Sequence, residues 1–288
     1  MAYAFPADAD QRPVAVVGAG TLGRRIAAVF AAGGTDVHIV DVSAEQRDAA
    51  QAYAEENIDV MRATHGASGG RTGRIATFGD LGEGVRGAWM VVEAVPERVE
   101  LKRQVFGELD RLADADAILA SNSSSLPTRL MVDDVHHRER VLNTHYYQPP
   151  ELMVVELMSC GETDEAVIDA LMEKLPHYGL APFRVRRESD GFIFNRVWAA
   201  IKRECLLVVA EGVATPADID GIWTLFAKPG IPPFRLMDRV GLDVVLHIEE
   251  HYASVRPGIP EEPAALLREL VDDGRLGVKT GRGFYDDY

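Results

Sequence analysis

The stretch Val14-Ala15-Val16-Val17-Gly18-Ala19-Gly20-Thr21-Leu22-Gly23 decides the fold. Four small apolar residues read as a buried strand, and the G-x-G-x-x-G that follows opens a helix. Gly18 permits the tight turn, Gly20 lets the backbone approach a pyrophosphate, and Gly23 allows close packing of helix on strand. A pyrophosphate would then rest on the free N–H groups and positive dipole end of the helix, at Gly20, Thr21 and Leu22. Glycine-rich turns also occur for purely structural reasons. Here, however, Asp41 closes the next strand-like run after that helix, where an acid takes ribose hydroxyls. Together the two features predict a dinucleotide site. A carboxylate at Asp41 repels a 2′-phosphate and no arginine adjoins it, so the expected cofactor is NAD rather than NADP. Arg47 reads as a solvated surface charge.

Outward from this motif, the first 150 residues alternate β-like runs with helical stretches, the form of a parallel α/β sheet. Residues 14–17, 37–40, 89–94, 118–120 and 141–142 read as buried strands, and 43–65 and 97–113 as helices. The glycine-rich stretch 66–73 reads as a flexible connection. Beyond about residue 185 only helices are expected, over 192–212, 216–226, 234–252 and 262–273. A stiff proline-rich segment, 228–233, separates two of them. The expected division is an α/β domain over 1–187 and a helical domain over 188–288.

Composition narrows the function. With 45 acidic and 30 basic residues among 288, the net charge of −15 argues against general binding to nucleic acid or anionic lipid. Two cysteines, Cys160 and Cys205, cannot build a disulfide framework or a Cys-rich zinc site. No His/Cys/Asp cluster shows ligand spacing, so no metal is expected. The first twelve residues carry Asp8 and Asp10 and lack signal-peptide regions. No run approaches the ~20 apolar residues of a membrane span. A cytoplasmic protein with a small-molecule partner is expected.

A redox cofactor needs a proton donor or acceptor beside the reacting carbon. His145, in Asn143-Thr144-His145-Tyr146-Tyr147-Gln148-Pro149-Pro150, follows a strand and suits the crevice where open α/β sheets bind ligands. Glu156 lies shortly downstream, in the apolar run Met153-Val154-Val155-Glu156-Leu157-Met158. Buried, it would orient the histidine and favour its protonated form. The other reading places it on the exposed face of an edge strand.

Four motifs in order resemble the L-3-hydroxyacyl-CoA dehydrogenase family. They are the glycine loop; Val92-Glu93-Ala94-Val95-Pro96-Glu97 with Lys102; Ser121-Asn122-Ser123-Ser124-Ser125 followed by His145; and Gly191-Phe192-Ile193-Phe194-Asn195-Arg196. The resemblance covers nearly the whole chain. It implies a doubly wound, mainly parallel Rossmann domain and an all-α domain that forms a homodimer. It implies His145 as general acid/base with Glu156 orienting it, and Ser124 and Asn195 as hydrogen-bonding groups around the reacting oxygen. Glu97, Lys102 and Asn122 would join Gly18, Gly20, Thr21, Leu22, Gly23 and Asp41 in binding NAD. From the residues alone, Ser123 and Ser125 read equally as turn-forming serines, and Asn195 as a helix cap.

Departures from the family bear on the substrate. The helix after the second strand, where lysines usually contact CoA, carries Glu55, Glu56 and Asp59 with only Arg62 basic. The usual His-Phe-Phe-Asn-Pro is His145-Tyr146-Tyr147-Gln148-Pro149, and Pro232-Pro233-Phe234 replaces Gly-Pro-Phe. A β-keto or β-hydroxy acid that need not be a CoA thioester is therefore expected. The alternative is a CoA enzyme using Arg62, Arg71 and Arg74. Two further readings are a non-catalytic NAD-binding protein and a hydroxyisobutyrate-type dehydrogenase. The latter needs a lysine shortly before Asn195, and residues 191–194 contain none.

Overall fold

Alternation of short apolar strands with helices gives an eight-stranded sheet in the first part of the chain. A computed structural model describes residues 3–65, 70–226 and 232–288. Residues 66–69 of the glycine-rich connection and 228–231 of the proline-rich segment lie outside these. Two compact units result, Met1–Ile193 and Phe194–Tyr288. No helix among the described residues is long and apolar enough to cross a membrane.

The strands are β1 (Val14–Val17), β2 (Val37–Val40), β3 (Ile75–Phe78), β4 (Met90–Glu93), β5 (Ile118–Ser121), β6 (Val141–Gln148), β7 (Leu152–Ser159) and β8 (Ala181–Val185). Their order is β3-β2-β1-β4-β5-β6-β7-β8, with every neighbouring pair parallel except β6 and β7. Between them run α1 (Thr21–Ala32), α2 (Ala44–His65), α3 (Leu81–Val85), α4 (Val99–Leu112) and α5 (Glu165–Lys174). All residues of β1, β4 and β5 are buried, as strands covered on both faces require. One core face gathers Val14, Val16, Phe30, Ile39, Trp89 and Leu157; the other gathers Ala15, Val91, Phe106, Leu109 and Leu119.

Four strands depart from the sequence reading. β3 and β8 close the two edges of the sheet. Their half-exposed residues carry no continuous apolar signal. β6 extends to Gln148, and its buried Asn143 finds partners within the fold. Asn143 accepts from the Thr128 N–H at 2.8 Å and donates to the Leu126 carbonyl at 3.2 Å. His145 is therefore inside a strand, not after one. β7 is internal, flanked by β6 and β8, which removes the exposed-edge reading of Glu156.

The second unit is helical: α6 (Phe194–Ala210), α7 (Pro216–Phe226), α8 (Pro233–Val240), α9 (Leu242–Val255) and α10 (Glu262–Asp272). The single helix expected over 234–252 is two, broken at Gly241, whose φ of +104° no other residue type adopts readily. Two buried carboxylates organise this unit. Asp220 accepts from the Phe234 and Arg235 N–H groups at the start of α8, and from the Tyr285 hydroxyl. Asp238 accepts from the N–H groups of Phe284 and Tyr285 and from the Tyr288 hydroxyl.

Candidate active site

The glycine loop joins β1 to α1. Gly18 has φ +106°, and a Cβ there would lie 2.6 Å from the Ala94 carbonyl oxygen; one on Gly23 would meet the Gly18 oxygen at 1.8 Å. A Cβ on Gly20 would meet nothing within 4 Å, so the backbone at the start of α1 faces open space. Thr21 and Leu22 form the first turn. The Asp41 carboxylate is fixed beside it, accepting from the Ala19 N–H at 2.8 Å and the Ser43 N–H at 2.9 Å. Arg47 is not the solvated charge expected, because it donates to the Asp41 carbonyl at 2.6 Å. A cavity of about 940 Å³ opens here, lined by Gly20, Thr21, Arg24, Asp41, Val42 and Val95 among others.

These residues fit a dinucleotide. The open Gly20 backbone and helix N-terminus suit a pyrophosphate, and Asp41 suits ribose hydroxyls. Sequence reasoning overlooked Arg24. Arg24 lines the cavity, placing a guanidinium beside the glycine loop. The only signal was its place directly after Gly23.

A second polar cluster forms where β4 and β5 end. Glu93 is fully buried; its Oε1 accepts from Lys102 Nζ at 2.7 Å and the Val95 N–H at 2.7 Å, and its Oε2 from the Ser121 hydroxyl at 2.7 Å. Lys102, 1% exposed, also reaches Glu97 at 3.2 Å and the Val95 carbonyl at 3.3 Å. Ser123 and Ser125 donate to Glu97, and Ser123 accepts from the Leu126 N–H at 2.8 Å. Burial works to raise the Glu97 carboxyl. The Lys102 charge and the two serine hydroxyls outweigh it and hold that carboxyl below its ordinary range. Thus the lysine points into the protein, while Ser123 and Ser125 grip an acid as well as shaping the turn.

The third cluster belongs to the β6–β7 hairpin. β6 pairs with β5 only as far as Asn143, so His145 lies just past its neighbour's carboxyl end, on the crevice side of the sheet. In the antiparallel register His145 stands directly opposite Glu156. His145 Nδ1 and Glu156 Oε2 are 3.1 Å apart, with the two residues 5% and 2% exposed. An ionised carboxylate only accepts, so Nδ1 carries the proton and Nε2 is left for chemistry. Glu156 Oε1 accepts from the Ile193 N–H at 2.9 Å.

The imidazole is held between two rings, Tyr147 at 4.7 Å and Phe192 at 4.9 Å between centroids. Phe192 has φ +54°, a strained conformation for a bulky residue that costs about 1–3 kcal/mol. That turn brings its ring to His145 and the next N–H to Glu156. Asn122 accepts from the Tyr146 N–H at 3.0 Å and so ties the turn after β5 to β6. Ser124 is exposed on that turn, and Asn195 is the second residue of α6, in the other unit.

A Rossmann-type sheet and a dinucleotide cradle define an NAD-binding fold, and its relatives place it among NAD-dependent oxidoreductases acting on CH–OH groups. Residues 13–189 match the NAD-binding domain of 3-hydroxyacyl-CoA dehydrogenase, and residues 191–287 match its C-terminal domain. The chain belongs to the 3-hydroxyacyl-CoA dehydrogenase family. It is 46% identical over 151 residues to the 3-hydroxyacyl-CoA dehydrogenase-like protein LAM1 of Cochliobolus heterostrophus, covering 51% of this chain and 32% of that one. It is 28% identical to 5-formyl-3-hydroxy-2-methylpyridine 4-carboxylate 5-dehydrogenase of Mesorhizobium japonicum, over 95% of this chain and 90% of that one. The structure of (S)-3-hydroxybutyryl-CoA dehydrogenase PaaH1 from Ralstonia eutropha superposes with a TM-score of 0.85 at 30% identity, covering 95% and 98% of the two chains.

Proposed function

We propose that the protein interconverts a β-keto and a β-hydroxy acid derivative, with His145 as general acid/base and Glu156 as its orienting partner. The observation that carries this reading is the buried His145–Glu156 pair at the carboxyl end of the sheet. Bound NAD(H) supplies or accepts the hydride at the substrate carbon. In reduction, His145 Nε2 delivers a proton to the carbonyl oxygen while Glu156 steadies the imidazolium; in oxidation, neutral Nε2 removes the hydroxyl proton. Glu97, held by Lys102 and the two serines, lines the cofactor side, and Ser124 hydrogen-bonds near the reacting oxygen.

The substrate in this proposal need not be a CoA thioester. α2 exposes Glu55, Glu56 and Asp59, which repel a phosphate-rich nucleotide. Arg71 and Arg74 both pair with Asp36, which precedes β2 at the strand-start edge, opposite the catalytic crevice. Arg62 donates to the Thr72 hydroxyl. The relative that acts on a pyridine carboxylate favours the same reading, because its name carries no thioester.

The test is NADH consumption with acetoacetate and with acetoacetyl-CoA. Turnover of the free acid is expected, and a strong preference for the thioester would overturn the substrate reading. Binding of NADH without turnover across a panel of β-keto acids would instead favour a non-catalytic binder. The homodimer is part of the proposal: α6 leaves Phe194 and Val197 about half exposed, and α7 leaves Ile222, Leu225 and Phe226 largely exposed. Sedimentation at assay concentration checks it, with a monomer as the contrary result.

A further inference from the structure

The hairpin that carries His145 overhangs the sheet. β6 pairs with β5 as far as Asn143, and β7 pairs with β8 from Val154 onward. Residues 144–153 therefore pair with neither neighbour, and a two-stranded ribbon is marginal by itself. Other elements must hold it where the imidazole is needed. Close to the sheet, Asn122 accepts from the Tyr146 N–H at 3.0 Å, and the Phe30 ring of α1 meets the Tyr146 ring edge-on at 6.3 Å. At the far end, Arg25 grips the turn between the two strands. Its Nη1 donates to the Pro149 carbonyl at 3.1 Å and to Glu151 Oε2 at 2.7 Å, using both of its hydrogens. Arg25 lies on α1, one turn after Thr21, which opens the helix.

We propose that Arg25 is a positioning residue that clamps the tip of this hairpin to α1, so that one helix sets the place of both the cofactor and the imidazole. Hydride and proton reach the substrate from different elements, the cofactor at the glycine loop and His145 on β6. Their separation is fixed when the hairpin cannot swing relative to α1. A misplacement of about 1 Å between reacting groups costs about 10²-fold in rate. The chemistry of the grip suits this task. The ion pair contributes little alone, because the Glu151 side chain is 63% exposed and such pairs are screened. The bond to the Pro149 carbonyl is different in kind, since it holds the turn by its main chain. Arg25 thus acts through the hairpin and not on the substrate.

This inference rests on the catalytic role proposed for His145, and its first test needs no substrate. Arg25→Met keeps a good helix former at the position and removes the donor to both partners. Amide hydrogen–deuterium exchange of the full chain is expected to quicken roughly 3–10-fold over residues 144–153, the loss expected for a freed tip. Over β1, β4 and β5 it should stay as in the wild type. Unchanged exchange in the hairpin overturns the proposal. So does a rise spread equally over the central strands, which marks a general contribution to stability.

Kinetics supply the second arm. Arg25→Met should lower kcat for reduction of acetoacetate roughly 3–30-fold, with the NADH dissociation constant unchanged in fluorescence titration. Weakened NADH binding at unchanged kcat would make Arg25 a cofactor contact. An unchanged kcat beside a loosened hairpin would leave the grip without a positioning role. Either result overturns the proposal. Full turnover in His145→Gln, with exchange in Arg25→Met altered as described, is a separate outcome: the catalytic assignment fails and the Arg25 clamp stands.

Discussion

Two glutamates, Glu93 on β4 and Glu156 on β7, are almost equally buried, and both accept hydrogen bonds from a backbone N–H and from a basic side chain. They differ in the cation they face. Glu93 is opposed by the Lys102 amine at 2.7 Å, enclosed with it. Glu156 is opposed by His145, whose charge depends on a proton and whose Nε2 lies clear of the carboxylate. Burial alone does not tell the two carboxylates apart; their partners do, and the proposed mechanism uses only the pair that contains an imidazole.

Breaking each pair in turn should expose that difference. The largest effect is expected for His145→Ala, with turnover falling roughly 10²–10⁴-fold while NADH fluorescence titration still shows binding. Unchanged turnover would remove His145 from the mechanism. Lys102→Met should act on the fold instead, leaving Glu93 buried without its cation and lowering stability by about 3–5 kcal/mol in urea unfolding. A stable Lys102→Met protein that fails to bind NADH would show the Glu93 cluster to be part of the cofactor site. Glu156→Gln should lower kcat roughly 10–100-fold, less than loss of the imidazole that remains in place.

The smallest effect is expected at Glu97, which borders the Glu93 cluster. Its carboxyl is held below the ordinary range in the folded chain, so its stabilisation is present above that range and lost as pH falls through the folded value. Ser123→Ala removes one contributing hydroxyl and should cost about 1 kcal/mol near neutral pH. The gap between wild type and variant should narrow in acid to the share owed to the Leu126 N–H bond, as followed by thermal unfolding from pH 7 to pH 3. A pH-independent difference would mean that Ser123 acts only as a turn residue.

The same contrast explains what is legible in the chain. Gly18, Gly20, Gly23 and Asp41 announce themselves because a strand-to-helix turn over a pyrophosphate tolerates few residue types. His145 and Glu156 sit on different strands and read only as candidates, since nothing local says that β6 and β7 place them opposite one another. Lys102 reads as a cofactor contact only through the family resemblance, and nothing local in the chain announces its buried partner Glu93. The edge strands β3 and β8 stay hidden for the opposite reason: half-exposed residues dilute the apolar signal on which strand recognition depends.

The aspartate at the end of α8 has a practical consequence for anyone who handles this chain. Asp238 is wholly enclosed, and the groups that neutralise its lone pairs come from Phe284, Tyr285 and Tyr288. Trimming those residues would strand an acid in the interior of the helical unit. Affinity handles, fluorescent fusions and surface-immobilisation linkers that crowd this tail would compete with the same contacts.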